Sequence, residues 1–227
     1  SRGLGDVYKR QGLPIGKLVC ASNKNNILTD FIRTGVYDKR RDFYKTMSPS
    51  MDILISSNLE RLLFEISGRD AARVRALMDA LSKEGVYSLS DAEREKVQAL
   101  FYGDFCGEDE TVETIYEFFE EYQYPMDTHT ACAKYAADNY RAKNEKDHAP
   151  MVIVCTASPY KFPQDVMYAI TGNDIKDSFK AIKHLNIATA MKVPKSLAKL
   201  RDKPVRFTAV SDKDKLYSEV LKFVDRK

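Results

Sequence analysis

The run Ile15-Gly-Lys-Leu-Val-Cys-Ala21 reads as a β-strand, the polar turn Ser22-Asn-Lys-Asn-Asn26 closes it, and an Asn cap opens a helix from about Asn26 to Thr34 that Gly35 stops. No other stretch narrows the possible folds as much. A strand that passes through a short polar loop straight into a helix is the repeating unit of α/β sheets, where helices cover the strands. The pattern returns at Thr46–Ser57, a polar loop feeding a short apolar strand. Ser56 or Ser57 is then expected to cap a helix whose Leu59, Leu62, Leu63 and Ile66 mark one face. It returns once more in Val152-Ile-Val-Cys-Thr-Ala-Ser-Pro-Tyr-Lys-Phe162, which begins as a buried strand and breaks off on hydroxyls and a proline. The expected class is therefore α/β.

Between these units, about 68 to 122, lies a charge-rich segment with helical patterns over Ala71–Leu81, Asp91–Phe101 and Glu110–Tyr122. Ser90 and Glu93 have the spacing of a capping box, and Glu117, Glu120 and Glu121 read as a solvated helix face. We expect residues 68–125 to be a helical insertion between an α/β portion at 12–67 and a C-terminal α/β portion at 126–227. Asp127-Thr-His-Thr130 leads into a helix over Ala131–Lys143. The tail should hold helices around Asp174–His184 and Pro194–Leu200, and a short terminal one from Lys213. Residues 1–11 carry no initiator Met and no periodicity, and read as a truncated or artefactual start.

At 227 residues the chain is long enough to bury a substantial core, and Lys plus Arg at 36 against Asp plus Glu at 33 is too balanced for a nucleic-acid binder. The tail lysines Lys176, Lys180, Lys183, Lys192, Lys195 and Lys199 have no aromatic stacking motif beside them and acids between them. Cys20, Cys106, Cys132 and Cys155 are scattered without zinc-site spacing, so no metal is expected and reduced thiols in the cytoplasm are the simplest reading. No apolar run is long enough to span a bilayer. Walker, GxGxxG, GxSxG and HExxH motifs are absent.

What remains is a set of polar loops beside apolar strands: Ser22–Asn26, Ser48–Asp52 and Thr156–Lys161, with Thr128-His129-Thr130 opening a helix whose free N–H groups favour anions. In an open α/β sheet ligands sit at the carboxyl ends of strands, so Thr156 can face a bound molecule. Equally, Thr156 and Ser158 can shape a turn and cap the next helix. Residue chemistry alone leaves both readings open.

Taken in order, Gly12-Leu-Pro-Ile15 with Ala21-Ser-Asn23, Ser48-Pro-Ser-Met-Asp-Ile53 with Ser57-Asn-Leu-Glu-Arg61, Asp127-Thr-His-Thr-Ala131 and Thr156-Ala-Ser-Pro-Tyr-Lys-Phe162 resemble the C-terminal part of threonine synthase. The resemblance runs from about residue 12 to the tail. It implies a fold type II, tryptophan synthase β-like enzyme that uses pyridoxal 5'-phosphate to convert O-phospho-L-homoserine and water to L-threonine and phosphate. It puts Thr156 against the cofactor's pyridine nitrogen, where a neutral nitrogen takes a hydroxyl partner. It suggests substrate contacts for Asn23, Asn26, His129 and Lys161. Each of these has a plainer reading: turn chemistry for the asparagines, a buried helix-end histidine, a surface lysine. Thr128 replaces the family's proline, Asn26 its usual acid, and Ser158 stands where many relatives carry His.

The family's Schiff-base lysine and its Ser-Gly-Asn-Phe-Gly phosphate loop belong to its N-terminal part, so no catalytic residue is expected in this chain. Alone it should bind cofactor weakly and lack activity. The alternatives are a non-catalytic threonine synthase-like ligand-binding protein, or another fold type II lyase such as a threonine or serine dehydratase. The Ser-Pro-Ser-Met-Asp and Asp-x-His-Thr-Ala stretches favour threonine synthase.

Overall fold

The computed structural model describes residue 9 and residues 11–225. The expectation of an artefactual start thus falls almost wholly outside the described residues. Two compact units are present, Ser1–Lys192 and Val193–Lys227.

In the first unit, β1 (Leu18–Ser22) leads through the Asn23–Asn26 loop into α1 (Ile27–Thr34), and Gly35 ends the helix in the left-handed region at φ 76°. The strand starts three residues later than the sequence suggested. Asn26 does occupy the N-cap position, but its side chain makes no capping bond. Then follow β2 (Val36–Asp38), α2 (Leu59–Ile66), α3 (Ala71–Lys83), β3 (Val86–Ser88), α4 (Asp91–Leu100), β4 (Phe101–Phe105), α5 (Glu108–Tyr122), α6 (Thr128–Lys143), α7 (Pro163–Thr171) and α8 (Ser178–Thr189). The capping box is formed by Ser90 and Glu93, and the acidic face of α5 is exposed.

β1 and β4 pair in parallel with Leu18 opposite Phe101 and Ser22 opposite Phe105, while β2 pairs antiparallel with β3. Hence the segment 68–125, expected as a helical insertion, supplies a strand to each two-stranded sheet. Charge-rich helices dominate its sequence pattern, and strands as short as Val86–Ser88 leave almost no period to read. Helices α1 and α6 both pack against the β1–β4 pair.

Two expected strands do not form. Ile53–Ile55 is held instead by Tyr37, whose hydroxyl donates to Leu54 O at 3.1 Å and accepts from Ser56 N at 2.9 Å. Those are backbone groups a ladder would have used. Val152–Cys155 has no pairing strand among the described residues, and Val152 and Val154 are 80% and 68% exposed. An apolar β-branched run becomes a strand only beside a partner edge.

Around Tyr37, the rings of Phe31, Tyr37 and Tyr87 form one aromatic knot, with Tyr37 stacked on Tyr87 at 5.3 Å and Phe31 edge-on to both. Leu63, Ile66, Leu77, Leu81 and Val97 complete this core. Burial also pushes the Tyr87 hydroxyl far above its ordinary pKa, with the Tyr37 and Glu60 charges adding to it.

At Gly103 in β4, α1 packs close against the strand. A Cβ there would lie 3.1 Å from Thr29 Cα and 3.2 Å from Ile32 Cβ. Gly103→Ala is expected to cost about 1–3 kcal/mol as the helix is forced outward, read from the urea midpoint; an unchanged midpoint would mean that α1 moves freely.

The second unit, by itself, contains α9 (Lys195–Ala198), a 3-10 turn at Lys213–Lys215 and α10 (Leu216–Val224), on which Lys222 donates to Glu219 at 2.7 Å. The helix before it, α8, begins at Ser178 because Asp177 caps it by accepting from Lys180 N at 2.8 Å. No helix among the described residues is long and apolar enough to cross a membrane.

Candidate functional site

At the carboxyl ends of β1 and β4 the backbone is joined by Cys106 N–H donating to Ser22 O at 3.0 Å, and here three separate polar stretches meet. Asn23 is fully buried. Its Nδ2 donates to Thr46 Oγ1 at 2.8 Å, Ser48 Oγ at 3.0 Å and Asp52 Oδ1 at 2.8 Å, and its Oδ1 accepts from Asn25 N at 2.9 Å. Asp52 also accepts from Asn25 Nδ2 at 3.0 Å, Thr46 Oγ1 at 2.7 Å and Thr46 N at 3.1 Å. One carboxylate thus gathers the Ser22–Asn26 loop and the loop before the 3-10 turn at Pro49–Met51.

The third stretch is the start of α6. Asp127, 2% exposed, caps it by accepting from His129 N at 3.0 Å and Thr130 N at 3.3 Å, and also binds the Thr130 hydroxyl and His129 Nδ1. Burial pushes the Asp127 carboxyl up, but the hydrogen bonds from His129 and Thr130 outweigh it and leave its pKa below the usual value. On its other side, His129 Nε2 accepts the Ser50 N–H at 3.1 Å. An Nε2 that accepts carries no proton, so the ring's proton sits on Nδ1 facing Asp127. The ring lies 4.7 Å from that of Phe162, and the Lys161 ammonium sits 5.2 Å from the Phe162 ring centre.

The residues expected from the sequence therefore separate into two groups. Asn23 and His129 come together, but their polar atoms are used inside the protein: Asn23 orders two loops, and His129 clips α6 to the 3-10 turn. Asn26 lies outside this knot, with Oδ1 accepting from Arg41 at 3.1 Å. It lines an open basic depression with Lys24, Arg40, Arg41 and Tyr44. Thr156 and Lys161 are exposed, and no hydrogen bond to the Thr156 hydroxyl is found among the described residues. Ser158 is a cap, accepting from Tyr160 N at 3.3 Å.

Sequence reading missed Asn25, Thr46 and Glu108. Asn25 and Thr46 sit in or beside polar loops already singled out, and a third amide or hydroxyl there was the available signal. Glu108 gave none: it starts α5, and one oxygen accepts Met47 N at 3.0 Å while the other is buried without a hydrogen-bond partner among the described residues. Burial, together with the charge of Glu108, raises the pKa of Asp165 on α7. No group of three or more His, Cys, Asp or Glu able to hold a metal occurs among the described residues.

A family model described as threonine synthase, C-terminal, matches residues 130–224. Threonine synthase-like 1 from Homo sapiens is 40% identical over 177 residues, covering 77% of this chain and 23% of that protein. Threonine synthase from Pseudomonas aeruginosa is 37% identical over 173 residues, covering 74% of this chain and 36% of that protein. The crystal structure of pyridoxal phosphate-bound threonine synthase from Brucella melitensis superposes with a TM-score of 0.79 at 34% identity, over 98% of this chain and 43% of that one. The chain thus spans less than half the length of each of these proteins. Its mixed α/β architecture is that of the fold type II enzymes.

Proposed function

We propose, for a chain that belongs to the threonine synthase family and corresponds to its C-terminal portion, that it forms the cofactor-ring side of an enzyme converting O-phospho-L-homoserine and water to L-threonine and phosphate. The observation that carries this reading is the Thr156 hydroxyl, exposed and without a hydrogen-bond partner among the described residues, directly before a capped turn whose Pro159 and Tyr160 are buried. Such a hydroxyl suits the pyridine nitrogen of pyridoxal 5'-phosphate, because a neutral partner leaves that nitrogen unprotonated. When bound, the cofactor would supply an electron sink for removing protons from the amino-bearing carbon and the carbon beside it.

The chain's own residues would position and screen. Thr156 orients the ring. Lys161, held near Phe162, offers a cation to an anionic substrate group. His129 holds Phe162 and the Pro49–Met51 turn in place through Asp127, so its part is positioning. Asn23 and Asn26 shape the neighbouring loop and need not touch substrate.

The test joins this chain to the N-terminal portion of the Pseudomonas aeruginosa threonine synthase and assays threonine and phosphate from O-phospho-L-homoserine. We expect both products from the joined protein and neither from the chain alone. In the joined protein Thr156→Val should weaken cofactor binding about tenfold, the worth of one hydrogen bond, with Thr156→Ser close to wild type. Release of 2-oxobutanoate instead would assign a dehydratase. The identity to threonine synthase-like 1 favours a second reading, a ligand-binding relative without catalysis. A folded joined protein that binds cofactor and forms no product would establish that reading.

A further inference from the structure

Directly beneath the Asn23–Ser48 contacts lie two thiols that the proposed function does not use. Cys106 follows the last residue of β4, Cys132 is on α6, and both are 0% exposed. The Thr111 hydroxyl of α5 is shared by both, 3.2 Å from Cys106 Sγ and 3.6 Å from Cys132 Sγ, so the two thiols are neighbours across one oxygen. Thr111 gives its own proton to Gly107 O at 2.6 Å, so its oxygen is left to accept from a thiol. Ser48 Oγ lies 3.8 Å from Cys132 Sγ.

We propose that Cys106 and Cys132 form an oxidation site at which a small peroxide joins them as a disulfide. The pair is asymmetric. Cys106 Sγ has the Gly107 carbonyl at 3.6 Å to hold its proton, whereas Cys132 Sγ lies against the hydroxyls of Thr111 and Ser48, so Cys132 is the attacking sulfur in this proposal.

With hydrogen peroxide the Cys132 thiolate attacks one oxygen, the O–O bond breaks, and the departing hydroxide takes up a proton as water. The sulfenic acid left on Cys132 is then attacked by the Cys106 sulfur, its S–O bond breaks, and a second water leaves. In sum, two thiols give up two electrons and two protons, and one peroxide becomes two waters. Peroxide is small enough to enter where glutathione is not, and a neighbouring thiol intercepts the sulfenic acid before further oxidation. The bond would tie the end of β4 to α6 under the polar knot. Cys155, exposed, and Cys20, half-buried, have no such partner arrangement among the described residues and serve as internal references.

The experiment treats the 227-residue chain with graded hydrogen peroxide, quenches in acid, blocks free thiols with N-ethylmaleimide after unfolding, and maps peptides by mass. Expected is a Cys106–Cys132 linked peptide lighter by two hydrogens, present in most molecules at doses that oxidise Cys155, reversed by dithiothreitol and absent in Cys106→Ser and Cys132→Ser. The wild-type map is decisive even if a serine variant fails to fold. Free Cys106 and Cys132 in chains whose Cys155 is fully oxidised would overturn the proposal, as would sulfinic acid on Cys132 beside a free Cys106.

Discussion

Replacing Asp127 by Ala should lower the unfolding free energy by about 3 kcal/mol, read by urea denaturation at neutral pH. The figure has two parts. Loss of the N-cap of α6 accounts for about 1 kcal/mol. The rest comes from stranding buried donors, the His129 ring N–H and the Thr130 hydroxyl, at roughly 1–3 kcal/mol each before relaxation. Asp127→Asn keeps an oxygen for the helix N–H groups and should recover much of the loss. The pH dependence identifies the cause. A carboxyl held below its unfolded pKa contributes stability above the unfolded value, near about 3.9, and that stability disappears as pH falls through the folded pKa. Wild type should therefore weaken across that acidic window more steeply than Asp127→Asn. Equal slopes would mean that Asp127 is not the titrating group.

A second large loss is expected at Asn23. Asn23→Ala leaves Ser48, Thr46 and Asp52 short of the amide donor and opens a small buried void, at a cost of about 2–4 kcal/mol. Asn23→Asp should be worse at neutral pH despite its matching shape. It sets a carboxylate where Nδ2 now lies 2.8 Å from Asp52 Oδ1, and two such groups cannot both ionise cheaply. The pair would retain a proton with a raised pKa, so the variant's stability should be present at low pH and lost as pH rises through that value. The crossing of the two variants' pH curves separates charge repulsion from a lost donor; a pH-independent deficit in Asn23→Asp would discard the repulsion argument.

Both predictions fall in stretches that the sequence singled out, Asn23 for ligand contact and Asp127-Thr-His-Thr130 as the lead into a helix, and the structure shows why that reading was ambiguous. Asn23 in a strand-end loop, and a His two residues after a capping Asp, have the same local signature whether they face a ligand or each other. Their assignment depends on Ser48, Asp52 and Ser50, which are 25 to 79 residues away in the chain.

Local signals read correctly where the cause was local. The β1–α1 unit, the Gly35 stop and the Ser90–Glu93 box each depend on groups within a few residues, whereas α6, expected from Ala131, starts at Thr128 because Asp127 caps it. Helix periodicity likewise placed α3, α4 and α5 to within a few residues.

What the chain pattern could not decide was pairing. Val152–Cys155 has every strand preference and no strand beside it among the described residues, whereas Val86–Ser88, nested between charged helices, becomes one because Val36–Asp38 lies alongside. Sequence by itself determined the α/β class, the helix ends and the polar loops, because propensity and capping act over short range. Only the tertiary structure decided which strands exist, which polar residues are already satisfied, and that Cys106, Thr111 and Cys132 meet, because a hydrogen-bond partner distant in the chain has no local trace.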